Sequence, residues 1–211
     1  SIIDHADGGQ PMVSERGRSD EEGLVAVVFN GCIYNHRELR AELEARGHVF
    51  VTDHSDTEVL IHGWLELRED LPEHLEGMYA FAVWDRAKRQ LTLMRDWCGR
   101  KPLFVHWLPE TANPSDEECA VVLFSSDSHA LANTHQPGIN SHGDASWTHD
   151  LMLRGYCEMH AHPAADILAV GCGHWMRFPW PSRNWGDERG SWMIQAEKRS
   201  SADEIESLLE R

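Results

Sequence analysis

Asn30 and Gly31 are the residues of this sequence with the most direct chemical use. A side-chain amide next to a glycine N–H offers two hydrogen-bond donors of the kind a developing oxyanion needs. Glycine also lets backbone approach a substrate closely. The same dipeptide is a strong turn signal, and taken alone it reads as a plain hairpin turn. Asp56 stands in the first turn of a helical pattern, where a carboxylate suits the helix dipole whether or not it binds anything. Cys157, His160, His162 and Cys172 have spacing that mixed zinc ligands could use. Fourteen histidines make chance clusters common, and no tight paired-cysteine motif is present, so no metal is expected.

The elements that must position these residues follow from pattern. Leu24 to Phe29 is a continuous Val-rich apolar run and predicts a buried strand. Asn30-Gly31 then predicts a turn. Asn35 predicts an N-cap with Glu38 reaching back to it, Leu39 and Leu43 a buried stripe, and Gly47 the helix stop. Phe50-Val51 predicts a brief strand. Ser55 to Glu58 reads as a capping box opening a second helix through Val59, Leu60, Gly63, Trp64 and Leu67, with Pro72 at the next boundary. Strands are predicted at Tyr79 to Trp84, Leu91 to Met94, Leu103 to Leu108, Ala120 to Phe124, Ile167 to Val170 and Trp175 to Phe178. Short helices are predicted at Ser126 to Ala132, Trp147 to Tyr156 and Ala202 to Leu209. Strands with two early helices predict an α+β layered domain.

Composition narrows the class. The chain has 211 residues, suiting one domain, and is 41% hydrophobic, enough for a core. A formal charge of −16 with only 19 Lys and Arg argues against nucleic acid and against an anionic membrane surface. No apolar run reaches the length of a membrane span. Five scattered cysteines and no visible signal peptide predict reduced thiols and a cytoplasmic location.

Five segments occur in one order: Ser1-Ile2-Ile3-Asp4 with Gly8-Gly9-Gln10-Pro11-Met12; Phe29-Asn30-Gly31-Cys32-Ile33-Tyr34-Asn35 with Glu38-Leu39-Arg40; Ser55-Asp56-Thr57-Glu58-Val59; Leu75 through Asp85; and Arg95-Asp96 with Gly99, Lys101-Pro102-Leu103. A sixth, Gly173-His174-Trp175, follows. Together they resemble the glutaminase (class II glutamine amidotransferase) domain of asparagine synthetases and related amide-forming ligases. The resemblance is dense from Ser1 to about Leu131 and thin beyond.

The resemblance implies an N-terminal-nucleophile hydrolase fold, an αββα sandwich of two antiparallel sheets, here lacking its first strands. It implies a domain over residues 1–195 and, over 196–211, a linker or first helix toward a synthetase domain. An N-terminal cysteine, with its own α-amine as base, would attack the side-chain amide of L-glutamine and release ammonia. Ser1 stands where that cysteine would have to precede it, so the chain reads as cut upstream of Ser1 and, alone, as inactive. Asn30 and Gly31 match the oxyanion hole. Ile2 and Ile3 match the strand lining the glutamine pocket, and Asp56 matches the contact to the glutamine α-ammonium. Cys32 stands where most asparagine synthetases carry Glu, and it resembles the variant acting on N-acetylglutaminylglutamine. Arg95, Asp96, Gly99, Lys101 and Pro102 match a segment read as structural, Arg95 and Asp96 as a local ion pair or turn contact. No cofactor is expected in this chain; ATP and Mg²⁺ belong to the synthetase domain. That domain and L-glutamine are the expected partners, and a homo-oligomer stays open. A non-catalytic binding or scaffold module that kept the sandwich is the alternative function.

Overall fold

The computed structural model describes residues 9–14, 24–108, 121–132, 167–179 and 188–191. Among them are nine strands and three α-helices. They run β1 (Met12–Val13), β2 (Val25–Ile33), α1 (His36–Ala45), α2 (Asp56–Leu67), a 3₁₀ segment (Arg68–His74), β3 (Gly77–Asp85), β4 (Gln90–Arg95), β5 (Phe104–Leu108), β6 (Val121–Ser125), α3 (Ser128–Ala132), β7 (Ile167–Ala169), β8 (His174–Pro179) and β9 (Glu188–Ser191). Two antiparallel sheets result, ordered β1-β2-β3-β4-β8-β9 and β6-β5-β7. The architecture is mixed α+β, as the sequence pattern predicts.

Side-chain alternation builds two cores from the one large sheet. Val25, Val27, Phe29 and Ile33 of β2 join Tyr79, Phe81 and Val83 of β3 beneath α1 and α2, where Leu39, Leu43, Leu60 and Trp64 close the layer. Ala80 and Ala82 of β3, Leu93 of β4, and Met176 and Phe178 of β8 point the other way. They meet Leu103, Val105 and Val170 of the second sheet.

Arg95 and Asp96 stitch the layers. The Arg95 guanidinium donates to the carbonyls of Lys101 (2.7 Å), Val170 (2.8 Å) and Gly99 (2.9 Å), so the end of β4 is tied to the strand-end of β7. The buried Asp96 carboxylate accepts from the amides of Tyr79 (3.2 Å), Cys98 (3.1 Å), Arg100 (2.9 Å) and Lys101 (3.0 Å). Both residues are structural, as expected. Their partners are backbone groups rather than each other.

Several local expectations are corrected. Asn30-Gly31 is no turn: both residues continue β2, paired with Ala80 and Tyr79. The β2–β3 ladder runs nine residues, and long-range pairing overrides the local turn preference. Asn35 makes no side-chain cap on α1. Its amide instead donates to the His74 carbonyl (2.9 Å) and accepts from the Glu76 amide (3.0 Å), fixing the start of β3. Phe50-Val51 forms no strand. Ser55 sits at the N-cap of α2 without a side-chain cap bond. Glu58 reaches outward to the Val51 amide (2.7 Å), the Thr52 amide (2.8 Å) and the Thr52 hydroxyl. The stop of α1 does hold. Gly47 has φ +94°, its N–H donates to Glu44 and the His48 N–H to Leu43, a Schellman closure. The expected helices at 147–156 and 202–209, and the residues Cys157, His160 and His162, lie outside the described residues, as do Ser1, Ile2 and Ile3.

Candidate functional site

The site is built on the β1-side edge of β2, part of which no described strand pairs. In an antiparallel strand the N–H and C=O of alternate residues point to opposite neighbours. Ser14 and Val25 exchange backbone and hydroxyl bonds on the β1 side (2.8 and 3.1 Å). Every second residue of β2 therefore faces that side, namely Val25, Val27, Phe29, Gly31 and Ile33. Beyond Met12 no described strand continues along it, and side chains take over. The Gln10 amide mimics a strand, accepting from the Phe29 N–H and donating to the Phe29 carbonyl, both at 2.8 Å. Four residues on, the Ile33 N–H donates to Asp56 Oδ2 at 3.2 Å. His36 Nδ1 lies 2.8 Å from the Ile33 carbonyl. Gly31 lies between these two clamps. Its pairing with Tyr79 is of the non-hydrogen-bonded kind, because Tyr79 spends its own N–H and C=O on Asp96. The Gly31 N–H thus points outward at an edge where no described backbone meets it.

Glycine is required there by space. A Cβ at position 31 would stand 2.2 Å from the Met78 carbonyl oxygen and 2.8 Å from Tyr79 Cα. The strands pinch together again at Gly77, whose Cβ would lie 2.3 Å from the Cys32 oxygen.

Asn30 and Cys32 project to the opposite face from Ile33, toward the second sheet. Asn30 is exposed and borders a cleft of about 130 Å³ with Val28, Ala80, Leu103, Phe124 and Ser125. The second sheet thus comes up beside the Asn30 amide. Cys32 is half-buried. Burial, and then the Asp56 carboxylate, push its thiol above the usual value against the pull of Lys101. A thiol held protonated is a poor nucleophile.

Asp56 is almost enclosed, at 5% exposed. Burial raises its pKa, opposed by the amides of Ile33, Asp56 and Thr57 and by the charge of His36. It stands at the first residue of α2, so the helix brings it to the end of β2. Asn30, Gly31 and Cys32 thus lie on one stretch of β2, with Asp56 of α2 bonded to Ile33 at its end. Gln10 carried no assigned role in the sequence, although it lies in the motif 8–12. Its partnership with Phe29 depends on a fold contact 19 residues away, which spacing does not encode.

Among the described residues no set of three His, Cys, Asp or Glu side chains is placed to share one metal ion. No helix among them is long and apolar enough to cross a membrane. A larger cleft lies on the helical face near His48 and His62, away from Asn30.

Comparison with known proteins identifies the family. The family model described as a glutamine amidotransferase domain matches residues 1–184. Glutamine-hydrolysing asparagine synthetase 3 of Bacillus subtilis is 42% identical over 104 residues, covering 49% of this chain and 16% of that protein. Asparagine synthetase 1 of the same organism is 39% identical over 127 residues, covering 60% and 19%. Asparagine synthetase 3 of Arabidopsis thaliana is 36% identical over 107 residues, covering 51% and 17%. The chain thus spans less than a fifth of the length of these relatives. Among solved structures, the glutamine phosphoribosylpyrophosphate amidotransferase of B. subtilis has a similar fold, with a TM-score of 0.53 at 21% identity over 86% of this chain and 31% of that one. With the matched model running across most of its length, the chain belongs to the glutamine amidotransferase domain family and is related to the glutaminase domains of asparagine synthetases.

Proposed function

We propose that this chain is the glutamine-hydrolysing, ammonia-supplying domain of an ATP-dependent amide-forming ligase of the asparagine synthetase type. The observation that carries the reading is the edge of β2. Gln10 occupies Phe29 and Asp56 occupies Ile33, while the Gly31 N–H between them meets no described backbone and has the exposed Asn30 as its chain neighbour. Two donors on neighbouring residues suit the oxyanion formed when a thiolate adds to the side-chain amide carbon of glutamine. The tetrahedral adduct collapses to a thioester as ammonia leaves, and water then releases glutamate. Ile33 lies two residues beyond Gly31, roughly 7 Å along the strand. That separation suits an extended glutamine with its amide at Gly31 and its ammonium at Asp56. Ile2 and Ile3 complete the pocket in this reading. The thiol comes from outside the described residues, on an N-terminal cysteine. ATP and Mg²⁺ act on a separate synthetase domain, which receives the ammonia. Cys32 in place of the usual Glu supports assignment to the type acting on N-acetylglutaminylglutamine.

The test is ammonia release from L-glutamine. The 211 residues alone should release none above background. The same chain expressed with any residues encoded before Ser1 should be active. In that form Asn30→Ala should lower kcat by about 10²–10³ with little change in melting temperature, because Asn30 is exposed. Robust hydrolysis by the 211 residues, or an Asn30→Ala enzyme with full kcat, would overturn the reading. The second reading, a binding module without chemistry, is favoured by Cys32, which cannot pair with an ammonium ion. It predicts that the extended chain binds glutamine and leaves it intact.

A further inference from the structure

Met12 pairs with Val27 and Val13 with Ala26. An antiparallel ladder continued in that register would bring the backbone of residue 10 to Phe29 and that of residue 8 to Gly31. At Phe29 a side chain intervenes. Gln10 Nε2 donates to the Phe29 carbonyl and Gln10 Oε1 accepts from the Phe29 N–H, both at 2.8 Å. The Gln10 backbone therefore cannot fill that slot and stands back from the strand. A primary amide suits the task, because it carries a donor and an acceptor side by side, as a peptide edge does.

The hold on Phe29 reaches its neighbours. The carbonyl that Gln10 grips belongs to the peptide joining Phe29 to Asn30, and Asn30 pairs with Ala80 on the other edge. That peptide is held from both sides, and it fixes the Cα from which the Asn30 side chain departs. The Phe29 ring is held with it. Its Cε2 lies 2.8 Å from where a Cβ at position 31 would stand, so the ring packs on the Gly31 backbone. From the far end Asp56 Oδ2 accepts from the Ile33 N–H at 3.2 Å. Side-chain anchors on both sides keep this stretch extended, while the Gly31 N–H between them meets no described backbone.

The geometry points to Gln10 as the positioning residue of the Asn30–Gly31 donor pair. Its amide takes the place of a backbone neighbour at Phe29, holds the peptide that carries Asn30, and leaves the Gly31 N–H to the substrate. The inference rests on the glutaminase reading and adds to it a residue that acts through Phe29.

Ammonia release from L-glutamine is measured for the chain extended upstream of Ser1, with Gln10→Leu and Gln10→Glu each shown to be folded by circular dichroism. Gln10→Leu should lower kcat by about 10–100-fold and change KM less than about threefold, because a misplaced donor pair costs the transition state more than the bound substrate. Gln10→Glu supplies a readout that lost packing would not move. A neutral carboxylic acid still offers a donor and an acceptor, whereas a carboxylate cannot donate to the Phe29 carbonyl. The ratio of its kcat to wild type should rise toward one in acid and drop at least about tenfold between about pH 5 and pH 8. Should Gln10→Leu not fold, that ratio decides alone. A folded Gln10→Leu enzyme with full kcat, a loss carried by KM alone, or a flat Gln10→Glu ratio would overturn the inference. An extended wild-type chain that releases no ammonia counts against the glutaminase reading instead, and the positioning is then read by NMR. In Gln10→Glu the amide resonances of Phe29, Asn30 and Gly31 should titrate together with residue 10, and a Gly31 resonance that ignores the titration would overturn it.

Discussion

Asp56, the proposed contact to the glutamine ammonium, is a residue whose charge the fold disfavours. Burial raises its pKa, so the folded protein disfavours the ionised form. The sign follows from linkage: its contribution to stability is full below the ordinary carboxylate pKa of about 3.9 and declines as pH rises through the folded value. At neutral pH the charge therefore costs stability. Asp56→Asn should melt at the same temperature or higher at pH 7, and the advantage should shrink in acid, as differential scanning calorimetry over pH would show. In the form competent to bind, the same substitution should weaken glutamine at least tenfold by calorimetric titration, since a charge-assisted bond to the ammonium is lost. A lower melting temperature at pH 7 with unchanged glutamine affinity would contradict both halves. At this scale the sequence was readable in part. Asn30, Gly31 and Asp56 could be selected by type and order. The outward aim of the Gly31 N–H could not, because it depends on strand parity and on Gln10 bonding to Phe29 where no described strand pairs.

Elements were legible where apolar periodicity was continuous and illegible where side chains had distant partners. β2, β3, β4, α1 and α2 follow from runs of Val, Leu and Phe, and the Gly47 stop of α1 follows from its left-handed backbone. The expected capping box of α2 failed because Glu58 has stronger employment in the preceding loop. Burial pushes its carboxyl up, but the Thr52 hydroxyl and the Val51 and Thr52 amides together outweigh that and hold the acid below its usual range. Its stabilisation is therefore present above the ordinary glutamate pKa of about 4.3 and is lost as pH falls through the folded value. Glu58→Gln should lower the melting temperature at pH 7, with a difference that narrows below about pH 4. Hydrogen exchange should quicken at the Val51 and Thr52 amides. An unchanged melting curve across that range would show that the latch contributes nothing.

For the whole molecule, two antiparallel sheets could be inferred, yet their connection could not. Arg95 spans them through three carbonyls on two different loops, a convergence set by three-dimensional proximity and 75 residues of intervening chain. Arg95→Met should destabilise the fold by about 2–4 kcal/mol in denaturant titration, because the part-buried carbonyls lose a charged donor and gain none. A loss below about 0.5 kcal/mol would mean that the layers are held by apolar contact alone. β3 belongs to both cores, giving Tyr79, Phe81 and Val83 to one and Ala80 and Ala82 to the other. A strand used as a party wall cannot be vacated from one side. Neither layer should therefore melt while its neighbour stays intact, and the last amides to surrender deuterium protection, under conditions where the helices already fray, should be those at the middle of that wall.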